Sequence, residues 1–165
     1  SMILYEPTLF SILRRGDRGD EKHYHEVASL ARVIRGANSE GKELFAASVF
    51  TDYWNDLGFW NALDRKKKES LTQWIPNADY QFPALLNSDH LIDMLHKISC
   101  PITLCAGRRS NKPALRIVEM LKEYVDVRDV CYFDTANHMG PVTHPELMAS
   151  AIENHISQLK GEKPQ

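Results

Sequence analysis

Long apolar runs are missing from this chain. No stretch approaches the roughly 18 residues that a membrane span requires, and no charged-then-apolar leader opens it. The expectation is a cytoplasmic protein with no membrane partner. Charge of one sign is missing as well. A net charge of −2 argues against a nucleic-acid partner gripped through its phosphates. The one basic run, Lys66-Lys67-Lys68, is closed by Glu69 and reads as a solvated helix face. Cysteine is scarce and odd in number: Cys100, Cys105 and Cys131 show no paired spacing, so no disulfide framework is expected. They read as small buried hydrophobes beside strands. Metal-ligand spacing is absent too. His23 and His25 would point about 200° apart on a helix, a poor geometry for one ion. We therefore expect no metal and no cofactor.

What is present is a change of period along the chain. Met2 to Tyr5 is a short apolar strand, stopped by Glu6-Pro7 because proline cannot donate to a ladder. A long helical block follows. Asp20 is a plausible N-cap for a first helix that Gly36 would stop. A second helix runs from Lys42 to about Asn55, with Phe45, Val49 and Tyr53 at i, i+4 and i+8. Gly58 breaks it, a third helix covers Trp60 to Ile75, a fourth Asp79 to Leu86, and Asp89 caps a short one through His96. The pattern then alternates. Pro101 to Ala106 is a buried strand, Pro113 to Tyr124 an amphipathic helix, Val127 to Phe133 a third strand, and Pro145 to Leu159 a last helix with proline in its first turn. The tail Gly161 to Gln165 should be disordered. A strand–helix–strand–helix ending predicts parallel strands. The fold class expected is α/β: a short three-stranded parallel sheet with flanking helices and a helical cap.

The loop Ala136-Asn137-His138-Met139-Gly140-Pro141 places a histidine just past a strand and ahead of the last helix. With Ile3-Leu4-Tyr5-Glu6-Pro7 and Pro101-Ile102-Thr103-Leu104-Cys105-Ala106-Gly107, this order resembles the α/β-hydrolase family from its sixth core strand to its C-terminus. The resemblance implies one partial hydrolase domain over 1–165, with a cap over about 8–86 and a βαβα core over about 98–160. It implies that His138 descends from the catalytic base, where the bland alternative is a loop histidine capping the final helix. Arg108, Arg109 and Ser110 stand where the family often carries its acid. Glu6, at the end of the first strand, is then the candidate acid partner of His138; otherwise it is a carboxylate satisfied by backbone donors. Asn137 stands where glycine commonly precedes the base, which suggests left-handed backbone there.

The Gly-x-Ser-x-Gly elbow that carries the family's nucleophile is absent. Met2 falls directly on a strand, and Ser1 before it reads as the remainder of a cleaved tag, so the chain resembles a truncated or separated half. Two functions compete. The first is a hydrolase of small carbonyl or ester compounds, inactive alone because its nucleophile lies elsewhere. The second is a non-catalytic module that binds a partner chain or a small apolar ligand. Aromatic residues crowd the helical block, either as ordinary core or as a pocket wall. Phe50, Trp54 and Met139 are the candidate substrate contacts. An apolar, unpaired first strand is a template for association, so a homodimer, or a complex with the missing half, is expected through residues 2–5.

Overall fold

A computed structural model describes residues 1–161. In chain order it contains β1 (Met2–Tyr5), α1 (Arg18–Ser39), α2 (Glu43–Trp54), α3 (Phe59–Ala62), α4 (Arg65–Trp74), α5 (Ala78–Leu86), α6 (Asp89–Ile92), β2 (Ile102–Gly107), α7 (Lys112–Leu121), β3 (Val127–Phe133), α8 (Gly140–Thr143) and α9 (Pro145–Gly161). Short 3-10 turns lie at Phe10–Arg15, Ile75–Asn77 and Leu95–Lys97. The three strands form one parallel sheet in the order β1-β2-β3.

Every residue of the central strand β2 is buried, as expected of a parallel strand covered on both faces. On one face Ile102, Leu104 and Ala106 join Phe10, Ile12, Leu13, Val27, Ile34, Ile117 and Val118 in a continuous core. That core fastens the helical block and α7 to the sheet. On the other face Thr103 bonds His155 of α9 at 2.8 Å, and Ala151 and His155 are the buried positions of that helix. β1 pairs only with β2, leaving it an outer strand among the described residues. Among these residues no helix is long and apolar enough to cross a membrane.

Several expected boundaries move, each for a local reason. Asp17, not Asp20, caps α1. Its side chain accepts from the Gly19 and Asp20 amides, and Asp20 completes a reciprocal capping box. Asp20 is instead buried and takes two hydrogen bonds from Arg116 of α7, at 2.5 and 2.8 Å. Those bonds hold its carboxyl below the ordinary carboxylate value. Gly36 does not stop α1, which continues to Ser39. A mid-helix glycine costs only about 1 kcal/mol, and burial of Ile34 and Ala37 outweighs it. The expected helix from Trp60 to Ile75 is two, because Leu63 is extended and Asp64 starts α4 by accepting from the Lys67 amide. Asp89 does not cap the short helix; Ser88 holds that position, without a side-chain bond. Of the cysteines only Cys105 is buried, while Cys100 and Cys131 are half-buried. The tail from 162 to 165 lies outside the described residues.

Candidate functional site

The carboxyl ends of β1, β2 and β3 meet at one point. Glu6 follows β1 with a main-chain φ of +41°, the sole positive φ among described non-glycine residues. Its amide still donates to the Cys105 carbonyl at 3.0 Å, so the ladder runs up to the turn. Such backbone costs of order 1–3 kcal/mol and persists where surroundings over-determine it. Here they do. The Glu6 side chain is fully buried. Oε1 accepts from the Gly107 amide at 2.7 Å and the Ser110 hydroxyl at 2.5 Å, and Oε2 lies 2.8 Å from Nδ1 of His138.

The loop after β3 is held just as closely. The Arg108 amide donates to the Phe133 carbonyl at 2.9 Å and the Arg109 amide to the Ala136 carbonyl at 3.1 Å. The Tyr5 hydroxyl donates to the Asn137 carbonyl at 2.5 Å. Burial pushes the Tyr5 phenol well above its ordinary value, so it remains a donor. Asn137 is not left-handed. Its side chain accepts from the Met139 amide at 3.0 Å, which makes a local turn without positive φ. The backbone strain expected at Asn137 lies at Glu6 instead.

The His138 ring packs on Trp54, with centroids 4.4 Å apart. With Nδ1 at Glu6, Nε2 is the nitrogen left for other partners. His138 borders a cavity of about 270 Å³ beneath the helical block. Its walls are Phe10, Phe50, Trp54, Trp74, Phe82 and Leu85, with Ala78 among them. Phe50 organises these rings, lying 5.2 Å from Trp74, 6.3 Å from Trp54 and 6.4 Å from Phe82. Thr8 and Gln81 are the uncharged polar residues at the cavity. Of the candidate contacts, Phe50 and Trp54 line it. Met139 does not; it is the half-buried residue before α8. Phe45 is half-exposed and faces away from the core.

Other candidates go elsewhere. Arg108 pairs with Asp134 at 2.8 Å and Arg109 with Asp56 at 2.6 Å, so both loop cations have carboxylate partners. His23 and His25 face Glu26 and Glu21 at 3.7 and 3.8 Å along α1. Among the described residues no group of three or more His, Cys, Asp or Glu side chains converges as a metal site. Burial pushes the Cys105 thiol up to about 12, and raises that of Cys131, so neither is an activated thiolate. Sequence reasoning missed Ser110, Phe82, Thr8 and Gln81, whereas Trp74 belongs to the aromatic crowding of the helical block that the sequence offered as a pocket wall. For Ser110 there was no signal, because a lone loop serine carries no pattern.

No protein-family model matches this chain, and no curated protein matches it.

Proposed function

We propose that this chain is a partial α/β-hydrolase fold whose Glu6–His138 pair serves as the acid and base of a hydrolytic site. One observation carries the reading: the 2.8 Å contact between Glu6 Oε2 and His138 Nδ1 at the carboxyl end of a parallel sheet, beside an apolar cavity. In such a pair the carboxylate orients the ring and stabilises the imidazolium, while Nε2 takes the proton of an attacking hydroxyl. The helical block between β1 and β2 acts as the cap. It selects small apolar groups of ester or carbonyl substrates.

The nucleophile and oxyanion donors come from another stretch of polypeptide. The Ser110 hydroxyl is bonded to Glu6 Oε1, and no cysteine or serine lines the cavity. The purified chain is therefore expected to show neither turnover of activated esters nor covalent labelling by a fluorophosphonate. A fluorophosphonate adduct mapped by mass spectrometry to Ser110 or Thr8 would overturn this assignment.

A second reading is a non-catalytic oligomeric module, favoured by the outer position of β1. The Met2 and Glu6 amides donate toward β2, at Pro101 and Cys105. Alternation along the strand then turns the main-chain groups of Ile3 and Tyr5 outward, as an open edge. A second copy, or the nucleophile-bearing segment, pairs there. Light scattering at high micromolar concentration is expected to give the mass of a dimer. A monodisperse monomer would count against pairing of two copies.

A further inference from the structure

We infer that the cavity beside His138 is a self-sufficient proton-abstraction site for a small, uncharged, planar ligand. The inference rests on the Glu6–His138 pair proposed above, but it does not need the missing nucleophile.

The cavity states the ligand's chemistry. Its volume of about 270 Å³ sits just below the roughly 300–1,000 Å³ of drug-sized sites, which limits the occupant to one or two rings. Phe50, Trp74 and Phe82 line it, and aromatic walls favour a flat π-system. Charge is excluded by what is missing from the walls. Among the described residues no lysine, arginine, aspartate or glutamate lines the cavity. An anion or cation entering it would lose its water without a fixed counter-charge. Thr8 and Gln81 can still donate hydrogen bonds to a ligand oxygen on which charge develops.

The shell around His138 suits its protonated form. Glu6 lies on Nδ1, and its other oxygen is anchored by the Gly107 amide and the Ser110 hydroxyl. The Trp54 ring lies tilted against the His138 ring, centroids 4.4 Å apart, and an aromatic neighbour at that range favours a cation. Both contacts strengthen as Nε2 gains a proton, which is the condition for catalysis by a base. In the step itself, the Nε2 lone pair takes an acidic C–H proton. The C–H electron pair forms a new π-bond as a weak bond to oxygen breaks, and the oxygen leaves as an anion. The imidazolium then returns its proton to water. No oxidant, metal or covalent adduct is required.

5-Nitrobenzisoxazole is a suitable probe: neutral, planar and bicyclic, with one acidic C–H and an N–O bond that opens to a coloured cyanophenolate. The purified full chain is expected to convert it with saturation. His138→Ala should fall to the buffer background. Ala78→Leu, which fills the cavity wall without touching the base, should raise KM by about tenfold or more. Indole, uncharged and flat, should compete. A wild-type rate equal to that of His138→Ala, or a rate linear in probe and unchanged in Ala78→Leu, would overturn the inference. Should His138→Ala fail to fold, Ala78→Leu and indole competition decide the question alone. The Nδ1–H proton resonance of His138 separates the two levels. If it is present and shifted downfield while conversion is absent, this inference fails and the pair stands. If it is absent, both fail.

Discussion

Gly107→Ala is expected to lower the free energy of unfolding by about 3 kcal/mol, at the upper end of ordinary overpacking, and to separate His138 from Glu6. A Cβ at residue 107 would sit 2.3 Å from the Ala136 carbonyl oxygen, 2.5 Å from its carbon and 2.8 Å from the Asn137 nitrogen. All three are main-chain atoms, so no side chain can swing aside. That segment is also fixed from two sides, by the Arg109 amide on the Ala136 carbonyl and the Tyr5 hydroxyl on the Asn137 carbonyl. Relief therefore requires the 136–137 backbone to move, and His138 moves with it. The Gly107 amide that anchors Glu6 shifts as well. Urea denaturation measures the first effect, and loss of the downfield Nδ1–H resonance the second. Gly36→Ala is the contrast. A Cβ there meets nothing within 4 Å on the helix α1, so it should stabilise by up to about 1 kcal/mol. A Gly107→Ala protein as stable as wild type, with the resonance intact, would contradict the described approach of β2 to the histidine loop.

Glu6→Gln should leave the fold standing while abolishing the base, with a loss of about 10²-fold or more in proton abstraction. The amide oxygen can still accept from Gly107 and Ser110, which now hold Oε1. The amide nitrogen then falls at the position of Oε2, 2.8 Å from Nδ1. It is a donor, so Nδ1 must become the acceptor and the ring proton moves to Nε2. Nε2, the nitrogen that Glu6 does not hold, then has no lone pair to offer. This wrong-tautomer effect is the established consequence of an acid-to-amide change in triads. Nitrogen-15 shifts of the His138 ring read the tautomer directly, and circular dichroism checks the fold. Glu6→Ala is the harsher change. It strands the buried Gly107 amide, at about 1–3 kcal/mol for an unsatisfied group, and frees the half-buried Ser110 hydroxyl. A Glu6→Gln protein with wild-type tautomer and rate would show that His138 works without its carboxylate.

How much of this was legible beforehand differs by element. β3 runs from Val127 to Phe133 as its apolar pattern indicates, and β2 lies within one residue of its expected range. Strong periodicity bounded by proline or glycine is local information, and it survives folding. α2 is found within a residue of its expected ends for the same reason. The failures lie where two local signals compete. Asp17 and Asp20 both suit a cap, and Arg116, remote in sequence, decides which one turns inward. Gly36 is a stop signal in isolation and a tolerated interior residue once Ile34 and Ala37 are buried.

The site divides in the same way. Glu6 and His138 can be nominated because each sits at a strand end of recognisable pattern, although 132 positions separate them. Phe50 and Trp54 can be nominated from helical spacing. Met139, named for its neighbour, does not reach the cavity. Ser110 and Gly107 were invisible as partners of Glu6, because a hydrogen bond between loops leaves no period in the chain.

The order of apolar and polar residues by itself determined that this chain builds strands, a helical block and a histidine loop, since each of these elements is marked by a pattern a few residues long. Only the tertiary structure decided which carboxylate meets His138, where the backbone is strained and which rings enclose a cavity. Those outcomes depend on groups brought together by burial of a common core, and no stretch of the chain carries that information alone.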